Sequence, residues 1–253
     1  MLNVVKLGGA AAANAEVLRR TASAVRALGG RTVVVHGGGV EISTWQERLG
    51  MPVTWRDGLR VTTPEGLQVT AMVLSGWVIK RIVQAFMVVG APAVGISGED
   101  GGLLEAIHAQ GGALGEVGEV IRVKPDLVEA LLTAGFLPVV SPLSRGPGGV
   151  PLNVNADEAA LQLAAGMGAT RLYLVSDVPG VRVGGAVVPT LTPSEARRLL
   201  DDHVATGGMS VKLRQALRAA DLGVEVAIGG PSLLDDIGNG TRILGAPRKA
   251  EVA

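Results

Sequence analysis

The sequence predicts an α/β protein, with a mainly parallel sheet and helices on both faces. Three observations carry that expectation. Short apolar runs of strand length alternate with amphipathic stretches of helix length along the whole chain. Glycine clusters follow several of the runs, at 8–9, 37–39 and 101–102. The filling residues are small: 47% of the chain is apolar but only 2% aromatic, so Val, Leu, Ala and Gly must make the core. Small residues let helices lie close on a sheet. With 253 residues the chain can bury a large core, as one big domain or two fused lobes.

The elements follow in order. Val4-Val5-Lys6-Leu7-Gly8-Gly9 reads as a buried strand ending in a glycine turn. A lysine there is unusual, because buried strands avoid charge unless it is paired or functional. Glu16 to Leu28 has helical spacing, with Leu18, Ala22, Val25 and Leu28 on one face. Thr32 to Val35 is a second buried strand, and His36-Gly37-Gly38-Gly39 opens a helix to Leu49. Met51 to Thr62 reads as a short hairpin or lid carrying Arg60, whose guanidinium could grip a carboxylate bidentately. A long helix runs from Pro64 toward Val89, apolar on more than one face, as for packing against a neighbouring helix or subunit. Ala93 to Ile96 is the third strand. Leu103 to Val123 is expected as a small antiparallel insertion with few contacts.

Pro125 to Ala134 then reads as a helix, Leu137 to Val140 as a strand, and Ser144 to Gly149 as a flexible turn near a lobe boundary. Asn153, Asn155 and Asp157 precede a helix to Met167; only one of them can be its cap, which frees the others. Arg171 to Val175 is a strand, Gly184-Gly185 a hairpin tip, and Pro193 to Asp202 a helix. Gly207-Gly208 opens a helix with Lys212 in its first turns. Glu225 to Ile228 and Gly240 to Leu244 are the last strands.

Composition narrows the function. Acidic and basic residues balance at 23 each with no basic block, which argues against nucleic acid as a partner. Cysteine is absent, so thiol catalysis and thiolate metal sites are excluded. His36, His108 and His203 are far apart in sequence, and no metal site is expected. The longest uncharged apolar segment, Val69 to Ile79, is too short for a bilayer, so no membrane association is expected. No leader is expected, since the chain reads as entering a strand at Asn3, and the cytoplasm is the expected location.

The unusual residues fit phosphoryl transfer. Lys6 and Lys212 each sit beside glycines, Gly38 and Gly39 offer amide donors, and no Ser, His or Cys nucleophile has a partner. Such chemistry needs positioning and charge neutralisation more than covalent catalysis. An aspartate between two lysines would fix their direction and relieve their repulsion.

The stretches Val5–Gly9, Val35–Gly39, Gly58–Thr62, Asn153–Asp157, Val175–Val181, Gly208–Lys212 and Gly240–Leu244, in this order, resemble the amino acid kinase family, at its branch that phosphorylates N-acetylglutamate. The resemblance implies a three-layer αβα sandwich around an eight-stranded, mainly parallel sheet. Residues 1–148 would form an N-terminal lobe for the acyl amino acid and for dimerisation, and 149–253 a C-terminal lobe for ATP. It implies ATP-dependent phosphorylation of the γ-carboxylate of N-acetyl-L-glutamate, the second step of arginine biosynthesis, by a homodimer. Lys6 and Lys212 would stabilise the moving phosphoryl group and Asp157 orient both. Gly38, Gly39, Arg60 and Asn153 would hold the acyl substrate. Gly8, Gly9, Ser176, Asp177, Gly180, Val181, Arg182, Val204, Ala205, Thr206, Gly208 and Met209 would hold the nucleotide, with Mg²⁺ held mainly by the phosphates.

Two rivals share the fold. One is a kinase of lysine biosynthesis acting on a carrier-protein-bound aminoadipate or glutamate; the other is a non-catalytic amino-acid sensor, which should have lost a lysine or Asp157. Ala10 to Ala13 and Glu99 depart from the family pattern at positions that bear on substrate fit.

Overall fold

The computed structural model describes residues 1–9, 12, 14–56 and 58–245; three residues of the alanine run (10, 11 and 13), residue 57 and the last eight of the chain lie outside these. The first part runs β1 (Leu2–Leu7), α1 (Ala15–Ala27), β2 (Arg31–His36) and α2 (Gly39–Arg48). A hairpin of β3 (Thr54–Arg56) and β4 (Leu59–Val61) follows, then α3 (Pro64–Ala71), a π-helical stretch (Met72–Val78) and α4 (Ile79–Val88) as one continuous run. Next come β5 (Ala93–Ser97), β6 (Leu104–His108), β7 (Val117–Val123), α5 (Asp126–Thr133), β8 (Leu137–Ser141), β9 (Leu143–Arg145) and β10 (Pro151–Val154). The second part has α6 (Ala156–Gly166), β11 (Arg171–Val175), the hairpin β12 (Arg182–Val183) and β13 (Ala186–Val187), and β14 (Thr190–Leu191). Helices α7 (Pro193–Asp201) and α8 (Gly207–Asp221) and strands β15 (Glu225–Gly229) and β16 (Gly240–Ile243) complete it.

Local chemistry sets several boundaries. The Asn14 side chain accepts from the amides of Glu16 and Val17 and starts α1. Thr63 caps α3, with Pro64 in the first turn, where a missing N–H costs nothing. Thr192 and Glu195 form a reciprocal capping box on α7.

The central sheet has eight strands among the described residues, in the order β14-β16-β15-β11-β1-β2-β8-β5. All pairings are parallel except β15 with β16. Strands of the first part extend to one side of β1 and strands of the second part to the other. The order therefore reverses between β1 and β11, and in open α/β sheets ligands bind at the carboxyl ends of strands at such a point. Alternate residues face opposite layers. Val4, Val35 and Leu174 join one core with residues of α6 and α8. Val5, Leu7 and Val175 join the other with residues of α1 and the 64–88 helix.

Two expectations need correction. The region 103–123 is no lightly attached insertion: β6 and β7 pair antiparallel, but Leu104, Ala106 and Val120 are buried in the main core. Nor is 144–149 only a flexible turn. Around it β9 and β10 pair and close a four-stranded barrel with β6 and β7. These strands are three and four residues long among glycines and prolines, too short for a period to emerge. The helix Pro64–Val88 is, by length and composition, long and apolar enough to cross a bilayer, where the uncharged stretch alone was too short. Here it lies against the sheet, burying Ile79, Ile82 and Phe86.

Candidate active site

Lys6 follows Val4 by two residues and so faces the layer of α6 and α8. Those helices bring Asp157 and Lys212. At the start of α6 the Asn155 side chain accepts from the amides of Asp157 (2.8 Å) and Glu158 (3.3 Å), so Asn155 is the cap. Asp157, in the first turn, is left with a free carboxylate. Its Oδ1 lies 2.7 Å from Lys6 Nζ, and its Oδ2 accepts from Lys212 Nζ at 2.9 Å. One carboxylate thus bridges two ammonium groups.

The bridge is desolvated: the side chains of Lys6 and Asp157 are 8% and 7% exposed, that of Lys212 17%. Burial by itself would raise the Asp157 pKa, but the two lysines outweigh it and hold the carboxyl at about 2. Burial pushes the Lys6 ammonium below its ordinary value; Asp157 opposes the shift and Lys212 adds to it. The group carries a net positive charge at the carboxyl end of β1.

A cavity of about 190 Å³ opens beside the bridge, lined by Lys6, Asp157, Gly38, Gly39, Arg60 and Asn153 among others. The sequence-expected acyl-site residues are therefore brought together. Arg60 is buried, and burial lowers its pKa from the ordinary value, yet a guanidinium stays charged. Its Nη1 donates to Gln46 Oε1 (2.8 Å), and its Nη2 to Gly39 O (2.8 Å) and Ser43 Oγ (2.7 Å). Asn153 Nδ2 donates to Thr62 Oγ1 at 3.0 Å.

Sequence reasoning missed three neighbours of Arg60. Ser43 and Gln46 lie three apart on α2 and share a face. Trp55 lies directly opposite Arg60 in the β3–β4 register, its ring 4.5 Å from the guanidinium, and lines the cavity. The signal for it was present in the sequence: an Asp-Gly pair at 57–58 between two extended runs favours a two-residue hairpin turn, and such a turn sets the register.

A second cavity, about 380 Å³, is lined by Asp177, Gly180, Val181, Arg182, Val204, Ala205, Thr206 and Met209. Met209 and Lys212 are three apart on α8, so that helix runs from this cavity to the bridge. Gly180 has φ +151°, and a Cβ there would lie 2.7 Å from Val187 Cγ1, so only glycine fits. The Val181 side chain is buried in the core, its N–H donates to Thr241 Oγ1 at 2.8 Å and its carbonyl accepts from Val188 N at 2.9 Å, so Val181 shapes the cavity wall. Four of the expected nucleotide residues line only other ground. Gly9 lines the first cavity. Gly8, Ser176 and Gly208 line neither. Gly8 donates its amide to Val175 O at 2.8 Å, tying β1 to β11, and a Cβ on it would lie 3.0 Å from that oxygen. Ser176 is buried with an unpartnered Oγ.

Among the described residues no group of three His, Asp or Glu side chains converges as a metal cage, and Asp157 is already engaged by both lysines.

A sequence profile described as the amino acid kinase family matches residues 1–230. The chain is 44% identical over 232 residues to the acetylglutamate kinase of Parasynechococcus marenigrum (strain WH8102), covering 88% of this chain and 79% of that one. It is 44% identical over 225 residues to the acetylglutamate kinase of Rubrobacter xylanophilus, covering 89% and 87%. In three dimensions it superposes on the crystal structure of smu.665 from Streptococcus mutans UA159 with a TM-score of 0.84 at 27% identity, over 97% of this chain and 99% of that one.

Proposed function

Because the chain belongs to the amino acid kinase family, we propose that it transfers the γ-phosphoryl group of ATP to the γ-carboxylate of N-acetyl-L-glutamate. The products are ADP and N-acetyl-L-glutamyl 5-phosphate, and the step belongs to arginine biosynthesis. The observation that carries this reading is the Lys6–Asp157–Lys212 bridge beside the first cavity, with α8 leading from it to the second.

The acceptor carboxylate is ionised at neutral pH and needs no general base. The difficulty is that an anion must attack an anion. A carboxylate oxygen forms a bond to the γ-phosphorus, the bond to the bridging oxygen of ADP breaks, and its electron pair leaves with ADP. Lys6 and Lys212 neutralise the charge on the moving group, and Asp157 holds both ammonium groups in place beforehand, so little reorganisation is needed. Arg60 and Asn153 bind the acyl substrate, with Gly38 and Gly39 supplying amide donors. Residues 177–182 and 204–209 bind the nucleotide, which enters as its magnesium complex. The metal would be held mainly by phosphate oxygens and would offset their charge, since Asp157 beside the bridge is engaged by both lysines. Gly8, Gly9, Ser176 and Gly208 act at the phosphate end.

In this reading residues 1–148 form the acyl-substrate lobe and 149–253 the nucleotide lobe. The enzyme works in the cytoplasm as a homodimer. Exposed Met72, Trp77, Met87 and Val88 on the 64–88 helix favour a second copy docking there.

The test is a hydroxylamine trap for acyl phosphate with ATP and N-acetylglutamate, glutamate or aspartate side by side. The hydroxamate is expected with N-acetylglutamate alone. No product from free N-acetylglutamate would overturn the proposal and favour a carrier-bound acceptor or a non-catalytic role.

A further inference from the structure

Gly37, Gly38 and Gly39 line the first cavity, but glycines have no side chain to fix which way their peptides face. In a planar trans peptide the C=O and the following N–H point in opposite directions. Flipping the Gly37–Gly38 peptide would therefore exchange an amide donor for a carbonyl oxygen facing the cavity. For an anionic substrate that exchange turns attraction into repulsion.

His36 bears on that choice. Its Nδ1 lies 3.0 Å from Gly37 O. A carbonyl oxygen only accepts, so Nδ1 must carry the proton. The other ring nitrogen, Nε2, is buried and has no hydrogen-bond partner among the described residues. It is therefore bare, and the ring is neutral. Burial holds the His36 pKa down to about 4, and the nearby charges of Arg81 and Lys6 push the same way. His36 is fully buried and is not among the cavity-lining residues, so it cannot reach a substrate as a base. The amides of Gly38 and Gly39 have no acceptor among the described residues. A Cβ on Gly38 would lie 2.7 Å from Leu74 Cδ2, so a bulkier residue could not stiffen the turn in place without moving that side chain.

We infer that His36 is a positioning residue: its Nδ1–H holds the Gly37 carbonyl away from the cavity and so aims the Gly38 amide into it. The inference rests on the proposed phosphoryl transfer, in which that amide meets an anionic oxygen. His36 touches no reacting atom and acts through the 37–38 peptide.

Three variants and one spectrum test it. The side-chain amide of His36→Asn can place its nitrogen where Nδ1 stands; that of His36→Gln falls nearer Nε2, and His36→Leu has no donor. With fold checked by circular dichroism, the Asn variant is expected to keep kcat within about 5-fold. The Gln and Leu variants are expected to lose about 10²-fold in kcat, the effect of one misplaced donor at a developing charge. In ¹⁵N-labelled wild-type protein the His36 ring is expected to be protonated on Nδ1 and bare on Nε2 between about pH 6 and 8. A Leu variant with wild-type kcat overturns the inference, as does a ring protonated on Nε2. If the variants do not fold, the tautomer alone decides. An inactive wild-type enzyme overturns the proposed function instead, so the two failures are distinct.

Discussion

Asp157 balances two cations with one carboxylate, which makes its removal costlier than that of either lysine. Lys6→Ala or Lys212→Ala is expected to lower kcat about 10²-fold or more with the fold intact, through lost charge stabilisation in the transition state. Steady-state kinetics beside circular dichroism checks this, and near-normal turnover would remove that lysine from the mechanism. Asp157→Asn leaves two nearby buried ammonium groups without a counter-charge, so stability falls as well as turnover. The pH dependence has a definite sign. The folded Asp157 pKa, about 2, lies below its ordinary 3.8, so its stabilisation is complete above the ordinary value and is lost as pH falls toward 2. Thermal midpoints measured across that range should drop more steeply for the wild type than for Asp157→Asn; parallel curves would refute the assignment. The lowered Lys6 pKa places the alkaline limb of kcat/KM below the ordinary lysine value of 10.5. At this scale much was legible. A lysine inside a buried strand is anomalous without a partner, and three polar residues before one helix cannot all be caps. The stacking of Trp55 on Arg60 and the bond from His36 to the next carbonyl were not, because contacts of that kind depend on side-chain direction as well as spacing.

Helix α6 leaves the Asp157 carboxylate free to bridge the two lysines because Asn155 does the capping. Asn155→Ala is expected to cost about 1 kcal/mol of stability and to lower kcat, since fraying of the first turn moves Asp157. Asn155→Ser, a neutral cap, should restore both; a loss of stability in Asn155→Ala with unchanged kcat would separate cap from site. Gly180 makes the analogous case at the second cavity. Gly180→Ala forces a Cβ against Val187 and Thr241 in a backbone conformation that suits only glycine, and is expected to cost about 1–3 kcal/mol and to raise KM for ATP. An unchanged melting temperature would contradict it. Most long elements could be read from apolar period and caps, from α1 through α8. The barrel strands β9 and β10 could not, because three or four residues bounded by Gly and Pro look like loop until their partners are known. The π-helical stretch Met72–Val78 was equally hidden, since its residues have the composition of an ordinary apolar helix.

At the scale of the whole molecule, the exposed apolar residues of the 64–88 helix lead to a dimer as the expected species. Sedimentation equilibrium should give twice the 25.7 kDa chain mass, and Trp77→Glu combined with Met72→Glu should halve it; a wild-type monomer would sink the reading. The alternation of strands and helices made the layered sheet foreseeable, but the neighbours of β1 were not, since nothing in a strand's own residues names the distant strand it pairs with. That pairing has a consequence in time. β1 leaves the ribosome well before β11, its partner along one whole edge, which begins at Arg171, and before Asp157, the counter-ion of Lys6. Until both emerge, the opening strand holds a lysine meant for burial with nothing to neutralise it, and an unpaired edge that invites wrong pairing. The stretches on either side of residue 148 are thus not two separate units of folding: a chain halted at residue 148 should stay unstructured, and β1 is completed only when β11 and Asp157 reach it.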